Sequence, residues 1–473
     1  MYRSYIGLEI HIRLLTESKV FCSCRTAFGE EPNTRICPVC MGYPGVLPAL
    51  NNEAVEMAFL VAMALNCTLS RTASFDRKNY FYPDMPKNYQ ISQYHAQVGR
   101  EGYLELELAG ERKKIGIHDV HLEEDAGKMV HEGGASYLDY NRAGTSLLEI
   151  VTEPDLSTGE EAEEFIREFR RMVRYLEVCD GNMEEGSLKC DANVSINLEG
   201  KGLGTKTEVK NLNSSRFVKK ALTFEIERQK KQIEKGDIIV QETRQWDMER
   251  GVTVSMRTKE SAHDYRYFPE PDLPPFRRDD AFLARVEKRL VELPFARRER
   301  FRQEYGIPEE HAAFLCEERE TADFFEKTVE AGGDPQIAAS WLGADVQKIC
   351  NRDGTTLKES KLTVSGFASF TRLLKEDRIN SKIGKEMIEL LFTGAGDPET
   401  LMRERGWEQI GDRSELESMV DRVIEEQPKA VGQIRDGDLK PLGFLVGQVM
   451  KISKGKADPK LAQKIIREKL NIS

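Results

Sequence analysis

The stretch Ile6-Gly7-Leu8-Glu9-Ile10-His11-Ile12-Arg13-Leu14 decides the fold of the first part of the chain. Its even positions are apolar, whereas Glu9, His11 and Arg13 occupy odd positions. A period of two predicts a β-strand that buries one face and turns the other toward solvent or a ligand. We therefore predict a half-buried strand whose open face carries a carboxylate, a histidine and a guanidinium.

Two later segments, residues 187–196 and 205–211, show the same alternation. The polar side chains that they bring to one face are Lys189, Asp191, Asn193, Lys206, Glu208 and Lys210. Carboxylate and amide oxygens are ligands that hard cations prefer, and lysines attract phosphate. The three segments together predict a sheet with a working surface for a hard metal ion and a phosphate.

The composition is that of a soluble globular protein with several domains. The chain has 473 residues, of which 40% are hydrophobic and 32% charged, and this length predicts two to four domains. No apolar run is long enough to span a bilayer, and the N-terminus lacks a signal-peptide pattern. Nine cysteines, an odd number, suit a reducing compartment better than a disulfide framework. We expect a cytoplasmic protein.

The net charge of −11 argues against a surface coated for nucleic acid, but the charge is uneven along the chain. Residues 429–473 contain ten Lys and Arg against four Asp and Glu. Such an excess is typical of a solvated helical face, and equally of a tail that binds nucleic acid.

Up to about residue 275 the pattern is mainly that of strands and hairpins. Residues 103–108 and 114–117 alternate around Gly110-Glu111-Arg112, which predicts a hairpin. Apolar residues at helical spacing predict two inserted amphipathic helices, at residues 159–178 and 214–234.

Two breaks in periodicity suggest the domain limits. The first is Glu270-Pro271-Asp272-Leu273-Pro274-Pro275, and the second is Gly394-Ala395-Gly396-Asp397-Pro398. We predict an α+β fold with a mostly antiparallel catalytic sheet and inserted helices at residues 1–290. A helical middle domain at 291–396 and a small helical tail domain at 397–473 are expected to follow.

Four cysteines form the motifs Cys22-x-Cys24 and Cys37-x-x-Cys40 in a loop-rich stretch. Two close pairs can supply four thiolates in tetrahedral array, which is the pattern of structural zinc. A disulfide suits a reducing compartment poorly, and a redox Cys-x-x-Cys motif needs a strand-to-helix context. We predict one structural Zn²⁺, since four thiolates leave no coordination position for a substrate.

The segment His121-Leu122-Glu123-Glu124-Asp125-Ala126-Gly127-Lys128 concentrates three carboxylates beside a histidine and a lysine. It is typical of a charged turn, but with Glu9, His11 and Asp191 it also offers ligands for Mg²⁺. A catalytic zinc at His11 and His121 is the competing interpretation, and the excess of carboxylates favours magnesium.

Residues 76–90 are rich in basic and aromatic side chains. Such a segment can stack a base or bind phosphate, and it can equally be a packed loop. The sequence contains neither the G-x-x-x-x-G-K-[ST] loop nor the G-x-G-x-x-G fingerprint, so any nucleotide is bound without them.

Several longer motifs carry a resemblance to a known family. They are Gly7-Leu8-Glu9-Ile10-His11, Tyr43-Pro44-Gly45-Val46-Leu47-Pro48, and residues 75–84, 122–128, 184–188, 190–193, 210–214, 264–272 and 443–450. In these motifs the chain resembles the B subunit of the bacterial aspartyl/glutamyl-tRNA amidotransferases, over essentially its whole length. One departure is Ser146, where the family usually has proline, and we expect it to loosen a loop.

The resemblance implies an ATP-dependent carbon–nitrogen ligase with glutamine as amido-nitrogen donor. The A subunit, a glutaminase, would release ammonia, and the C subunit would hold the other two together. The B subunit would bind mischarged Glu-tRNA(Gln) or Asp-tRNA(Asn), phosphorylate the side-chain carboxylate with ATP, and let ammonia displace phosphate. Which mischarged tRNA is the natural substrate, and which residue is the general base, stay open at this point. No membrane and no DNA partner is expected.

Phosphoryl transfer depends on positioning and on neutralising charge, which guides the choice of site residues. The predicted Mg²⁺ ligands, some through water, are Glu9, His11, Glu123, Glu124 and Asp191. The predicted contacts to phosphate or carboxylate are Lys78, Lys189, Asn193, Lys206 and Lys210. The alternatives are a non-catalytic tRNA-binding scaffold with structural zinc, and a magnesium-dependent phosphatase or nuclease.

Overall fold

The computed structural model describes residues 2–26, 29–258, 264–408, 413–435, 438–453 and 456–472. The chain divides into two compact units, Met1–Phe295 and Ala296–Ser473. The first unit is built around a sheet and the second is helical, which confirms the predicted α+β class. The domain boundaries predicted after residues 290 and 396 stay predictions.

The strands belong to the first unit, and short ones lie beside long ones. In chain order they are β1 (Tyr2–Arg13), β2 (Thr68–Leu69), β3 (Thr72–Ala73), β4 (Asp76–Asn79), β5 (Tyr89–Ser92), β6 (Gly99–Leu108), β7 (Glu111–Glu124), β8 (Lys128–Glu132), β9 (Ala135–Asp139), β10 (Ser146–Thr152), β11 (Leu188–Leu198), β12 (Thr207–Lys210), β13 (Glu242–Asp247), β14 (Val252–Thr258), β15 (Phe268–Pro269) and β16 (Phe276–Arg277).

Nine of these strands form one sheet in the order β14-β13-β12-β11-β1-β10-β7-β6-β2. Neighbouring strands run antiparallel, apart from the parallel pair of β12 and β13. Strand β1 lies in the middle, between β10 and β11. Its even residues Ile6, Leu8, Ile10 and Ile12 are fully buried, so the predicted alternation is confirmed.

Four helices accompany this sheet: α1 (Asn52–Ala64), α2 (Gly159–Tyr175), α3 (Ser215–Glu234) and α4 (Asp280–Glu287). Helix α2 contacts β6, α3 contacts β11, and their apolar residues share one hydrophobic core with the even residues of β1. The hydroxyls of Thr158 and Ser214 cap α2 and α3 by accepting hydrogen bonds from Glu161 N and Phe217 N. The helices cover one face of the sheet and leave the odd-numbered face of β1 to polar residues.

Some local expectations need correction. The turn of the β6–β7 hairpin is Ala109 and Gly110, both with positive φ, and Glu111 already belongs to β7. Residues 121–124 are the end of β7 and not a turn. Ser146 begins β10 fully buried and accepts a backbone hydrogen bond from Leu14 N, so it does not loosen a loop.

The proline-rich stretch at residues 270–275 does not separate the two units. Leu273 is buried in the core of the first unit, and Arg77 binds the buried Glu270 with N–O distances of 2.7 and 2.8 Å. Proline here interrupts periodicity within a packed loop, because burial and an ion pair hold the segment in place.

From residue 294 onward the structure is helical. The helices are α5 (Pro294–Tyr305), α6 (Glu309–Leu315), α7 (Arg319–Glu330), α8 (Pro335–Trp341), a π-helical turn (Leu342–Val346), α9 (Gln347–Asp353), α10 (Val364–Lys375), α11 (Ser381–Phe392), α12 (Pro398–Glu404), α13 (Arg413–Glu426), α14 (Pro428–Arg435), α15 (Pro441–Ile452) and α16 (Pro459–Leu470). Their buried apolar residues form two clusters, one at residues 301–402 and one at 416–470. None of the helices in the described parts of the chain is long and apolar enough to cross a membrane.

Candidate functional site

The odd-numbered face of β1 continues across its neighbours through the register of the sheet. Glu9 lies opposite Asp191 on β11, and His11 lies opposite Lys189 on β11 and Glu149 on β10. Glu149 in turn lies opposite His121 on β7. Directly opposed residues in antiparallel strands point to the same face, so side chains from four strands meet there.

The centre of this face is a carboxylate–histidine cluster of His11, His121, Glu123 and Glu149. Oε2 of Glu149 lies 3.1 Å from His11 Nε2 and 3.2 Å from His121 Nε2. His11 Nε2 also lies 3.8 Å from Glu123 Oε1, and His121 Nδ1 lies 2.7 Å from Asp119 Oδ1. One glutamate is thus shared by two imidazole rings.

Burial and mutual charge set the protonation of this cluster. Burial alone would lower the pKa of His121, but the charge of Glu149 and the hydrogen bond to Asp119 raise it to about 10. Burial opposes charge on Glu149 too, yet the charge of His121 and the hydrogen bond from His11 hold its pKa well below the usual range. Burial and the charge of Glu149 raise the pKa of Glu123.

Three groups of this cluster can approach one cation together. One oxygen or nitrogen atom from each of His11, Glu123 and Glu149 lies within 4.8 Å of the others. Two carboxylates and one imidazole fit a hard divalent cation that completes its shell with water and phosphate oxygens. Of the five ligands predicted from sequence, the structure brings together His11 and Glu123.

Glu9 and Asp191 lie on the same face, beside the cluster. Asn193 Nδ2 donates to Glu9 Oε1 at 2.7 Å, and Lys210 Nζ donates to Asp191 and lies 2.9 Å from Glu208 Oε1. Burial would lower the pKa of Lys210, but the charge and hydrogen bond of Asp191 raise it well above the usual range. Asn193 therefore orients a carboxylate, and Lys210 is a fixed ammonium between two carboxylates.

Glu124 points away from the cluster, because neighbouring residues of a strand face opposite sides. Its carboxylate binds Lys87 Nζ at 2.5 and 2.6 Å and accepts the backbone N–H of Ile91 at 2.8 Å. Lys206 directly precedes β12 and is exposed. Lys189 is exposed beside His11.

Lys78 reaches the cluster from a second, small sheet of β15, β4 and β5. Its Nζ lies 4.9 Å from the ring centroid of Tyr265. Burial would lower the pKa of Lys78, but the negative charges of Glu123 and Glu149 contribute to raising it. The ammonium therefore lies close enough to the two carboxylates of the candidate cation site to interact with them electrostatically.

Glu149 is the functional candidate that the sequence did not reveal. It stands alone between apolar neighbours in Leu147-Leu148-Glu149-Ile150-Val151, and β10 is buried along most of its length. A single charge inside such a run is the one available signal. Its meaning depends on the register of β10 against β1 and β7, which joins residues far apart in the chain.

The four cysteines form a second candidate metal site. The sulfur atoms of Cys22, Cys24, Cys37 and Cys40 all lie within 4.8 Å of one another. Tetrahedral Zn²⁺ with Zn–S bonds of about 2.3 Å requires sulfur atoms about 3.8 Å apart, which this cluster allows. The cysteines are free thiols in the structure, and their mutual contacts fit a tetrahedral thiolate site.

A cation and a backbone donor support negative charge on one of these sulfurs, that of Cys40. Lys19 is fully buried, and its Nζ donates to Cys40 Sγ at 3.5 Å and to Tyr140 O at 3.3 Å. The backbone N–H of Cys37 donates to Cys40 Sγ at 3.2 Å. The hydrogen bond from Cys22 and these groups lower the pKa of Cys40 to about 4. A buried lysine beside the cluster fits a site that carries net negative charge with Zn²⁺ bound.

Comparisons with known proteins agree along the length of the chain. Residues 4–284 match the family described as GatB/GatE catalytic domain, and residues 323–470 match the GatB domain family. The chain is 48% identical over 467 residues to the B subunit of aspartyl/glutamyl-tRNA(Asn/Gln) amidotransferase from Thermodesulfovibrio yellowstonii, covering 98% of each chain. It is 48% identical over 472 residues to the protein of that name from Thermoanaerobacter pseudethanolicus, covering 99% of each. A Synechococcus relative of the same name is 47% identical over 479 residues.

Proposed function

Because this chain belongs to the family of B subunits of aspartyl/glutamyl-tRNA(Asn/Gln) amidotransferase, we propose that it amidates the side chain of mischarged tRNA. It acts with the A subunit, which supplies ammonia from glutamine, and with the C subunit. Its substrates are Glu-tRNA(Gln) or Asp-tRNA(Asn), ATP and that ammonia. The observation that carries the catalytic assignment is the group of His11, Glu123 and Glu149 on one face of the sheet.

The reaction takes two steps. A side-chain carboxylate oxygen attacks the γ-phosphorus of ATP, the bond from that phosphorus to the β,γ-bridging oxygen breaks, and ADP leaves. Ammonia then attacks the acyl carbon, phosphate leaves with the former carboxylate oxygen, and the nitrogen loses a proton to a base or to water. A carboxylate is a poor electrophile for amines at neutral pH, and the phosphate provides the leaving group.

The chain's own residues supply positioning and charge. His11, Glu123 and Glu149 would hold Mg²⁺, which neutralises negative charge on phosphate oxygens when bound. His121 holds Glu149 in place at 3.2 Å. Lys78 and Lys210 would present ammonium groups to the incoming phosphate or carboxylate. Asn193 orients Glu9 at 2.7 Å on the same face.

The experiment that tests this function is ATP turnover in the complex assembled with the A and C subunits. ADP formation is expected to require mischarged tRNA, and it is not expected with correctly charged Gln-tRNA(Gln). If this chain were a non-catalytic scaffold, substitutions in the carboxylate–histidine cluster would leave ATP turnover unchanged. Assays with both mischarged tRNAs also identify the natural substrate.

We assign the four cysteines to one structural Zn²⁺. Cys37→Ser is expected to lower zinc content well below one per chain and to reduce Tm, because it removes one of four bonds that cross-link a loop-rich segment. In a domain of this size, each kcal/mol lost corresponds to about 2–4 °C. Metal analysis and thermal denaturation measure both effects. Cys67→Ser, a half-buried cysteine outside the cluster, is the matched control and should keep its zinc. Protein purified without chelator that contains no zinc would contradict the assignment.

We also assign tRNA binding to the C-terminal helices, which carry the local excess of positive charge. Lys451, Lys460 and Lys464 are exposed on or next to α15 and α16, whereas Lys454 lies outside the described residues. The variant in which Lys451, Lys460 and Lys464 are all replaced by Ala is expected to bind tRNA more weakly. Its binding should also depend less on salt, by about 0.9 in the slope of log affinity against log salt concentration for each lost phosphate contact.

Titration of tRNA at several salt concentrations measures this slope. Lys382→Ala on α11, which removes an exposed lysine from the other helical cluster, is the control. If the triple variant and the parent have equal affinities and equal slopes, the C-terminal helices serve only for packing.

A further inference from the structure

Three tyrosines form an exposed aromatic surface next to the carboxylate–histidine cluster. The rings of Tyr94 and Tyr267 stack with a centroid distance of 4.3 Å and an interplanar angle of 12°. Tyr265 meets Tyr267 edge-on at 6.1 Å. Tyr94 is 55% exposed, and the ring of His95 meets it at a centroid distance of 5.1 Å and an interplanar angle of 88°. We call Tyr94, Tyr265 and Tyr267 the tyrosine platform.

Strand β4 fixes the platform from both sides. Asp76, which is 1% exposed, accepts the backbone N–H of Tyr94 at 2.9 Å and that of His95 at 3.0 Å. Asn79 Nδ2 donates to the backbone oxygen of Tyr265 at 3.0 Å. Both loops that carry the tyrosines are therefore tied to one short strand. A preset aromatic surface binds a ligand without the cost of ordering loops first.

The platform adjoins the cluster through Lys78 and Ser92. Lys78 Nζ lies 4.9 Å from the Tyr265 ring centroid, and its ammonium interacts electrostatically with Glu123 and Glu149. Ser92 Oγ donates to Glu123 Oε2 at 3.1 Å. Tyr94 follows Ser92 by two positions along the chain, which is at most about 7 Å of backbone. A group bound on the platform therefore lies beside the site of chemistry.

We propose that the tyrosine platform binds the terminal base of the tRNA acceptor end, stacked against the exposed ring of Tyr94. This inference rests on the proposed function, and it names how the substrate is oriented there. Aromatic rings bind the bases of single-stranded nucleic acid by stacking, because every base has a π-face. With the base held, the aminoacyl group attached to its ribose is directed toward Lys78 and the cluster.

The exposure of the Tyr94 ring favours an RNA end over the adenine of ATP as its ligand. Small nucleotides bind in concave sites that bury most of their surface. A flat, half-exposed ring suits a base whose affinity is supplied mainly by the rest of a large RNA. Both ligands share the chemistry of a stacked purine, so the test must separate them.

The first test compares kinetic constants in the assembled complex. Tyr94→Ala is expected to raise KM for mischarged tRNA by roughly 5- to 100-fold and to leave KM for ATP unchanged. Tyr94→Phe keeps the ring and should behave like the parent. Tyr137→Ala, which removes a tyrosine that is 60% exposed on β9, is the matched control. An unchanged KM for tRNA, or a rise in KM for ATP instead, would overturn the proposal.

The second test does not depend on catalysis. A tRNA whose terminal adenine is replaced by 2-aminopurine is expected to lose fluorescence on binding to the parent complex and to Tyr94→Phe. With Tyr94→Ala the fluorescence should stay close to that of the free tRNA. Equal quenching by the parent and Tyr94→Ala would refute the subsite. Ring-dependent quenching without any ATP-dependent amidation would support the subsite and reject the proposed function.

Discussion

Glu149→Gln is expected to lower the rate constant of amidation by roughly 100- to 1000-fold, while the glutaminase activity of the A subunit persists. Glu149 accepts from His11 at 3.1 Å and lies 3.2 Å from His121, and its negative charge is the one that both rings share. An amide has nearly the same shape but no charge, so it removes the negative charge that raises the pKa of both imidazoles and weakens the binding of a divalent cation. Single-turnover amidation with saturating mischarged tRNA measures the effect.

The matched control for this variant is Glu153→Gln. Glu153 binds His118 Nδ1 at 3.0 Å just beyond β10, but this pair is exposed and lies outside the cluster. It should retain amidation close to the parent rate. Near-normal amidation by Glu149→Gln in folded, tRNA-binding protein would show that the carboxylate–histidine cluster is not the catalytic site.

Asp191→Asn and Lys210→Met are each expected to lower amidation by roughly 10- to 100-fold and to leave tRNA binding almost intact. Asp191 accepts from Lys210, which also lies 2.9 Å from Glu208. If Asp191 acts by holding this ammonium, removing both groups should cost little more than removing one. Non-additivity of this kind is what a double-mutant cycle measures for residues in contact.

The cycle also separates two roles for Asp191. Losses that multiply in the double variant would mean that Asp191 works independently of Lys210, for example as a direct ligand of the cation. Lys201→Met, which removes an exposed lysine from the turn after β11, provides the control for the loss of a positive charge. If Asp191→Asn amidates at the parent rate, the part of the face formed by Asp191 and Lys210 takes no part in the mechanism.

The sequence predicts the local part of this site well. Alternation in residues 6–14 identified β1 and the open face of Glu9, His11 and Arg13, because period two is a property of a single strand. The same reasoning placed Asp191 and Asn193 together on β11. Helices α2 and α3 follow from the helical spacing of their apolar residues.

The rest depends on contacts between distant residues. Glu149 became a candidate only when the register placed it between His11 and His121. Glu124 seemed equivalent to Glu123 while the segment was interpreted as a turn, but a strand sends the two side chains to opposite faces. The position of Lys78 depends on a separate small sheet, whose packing no local pattern reveals.

The most direct measurement of the central claim follows the oxygen atoms of the substrate. Mischarged tRNA with ¹⁸O in both oxygens of the side-chain carboxylate is incubated with ATP, glutamine and the assembled complex, and the released inorganic phosphate is analysed by mass spectrometry. Activation of the carboxylate by phosphorylation predicts one ¹⁸O atom in each phosphate formed per amide, and little labelled phosphate from the Glu149→Gln complex. Phosphate that contains no ¹⁸O while amide is formed would contradict the account.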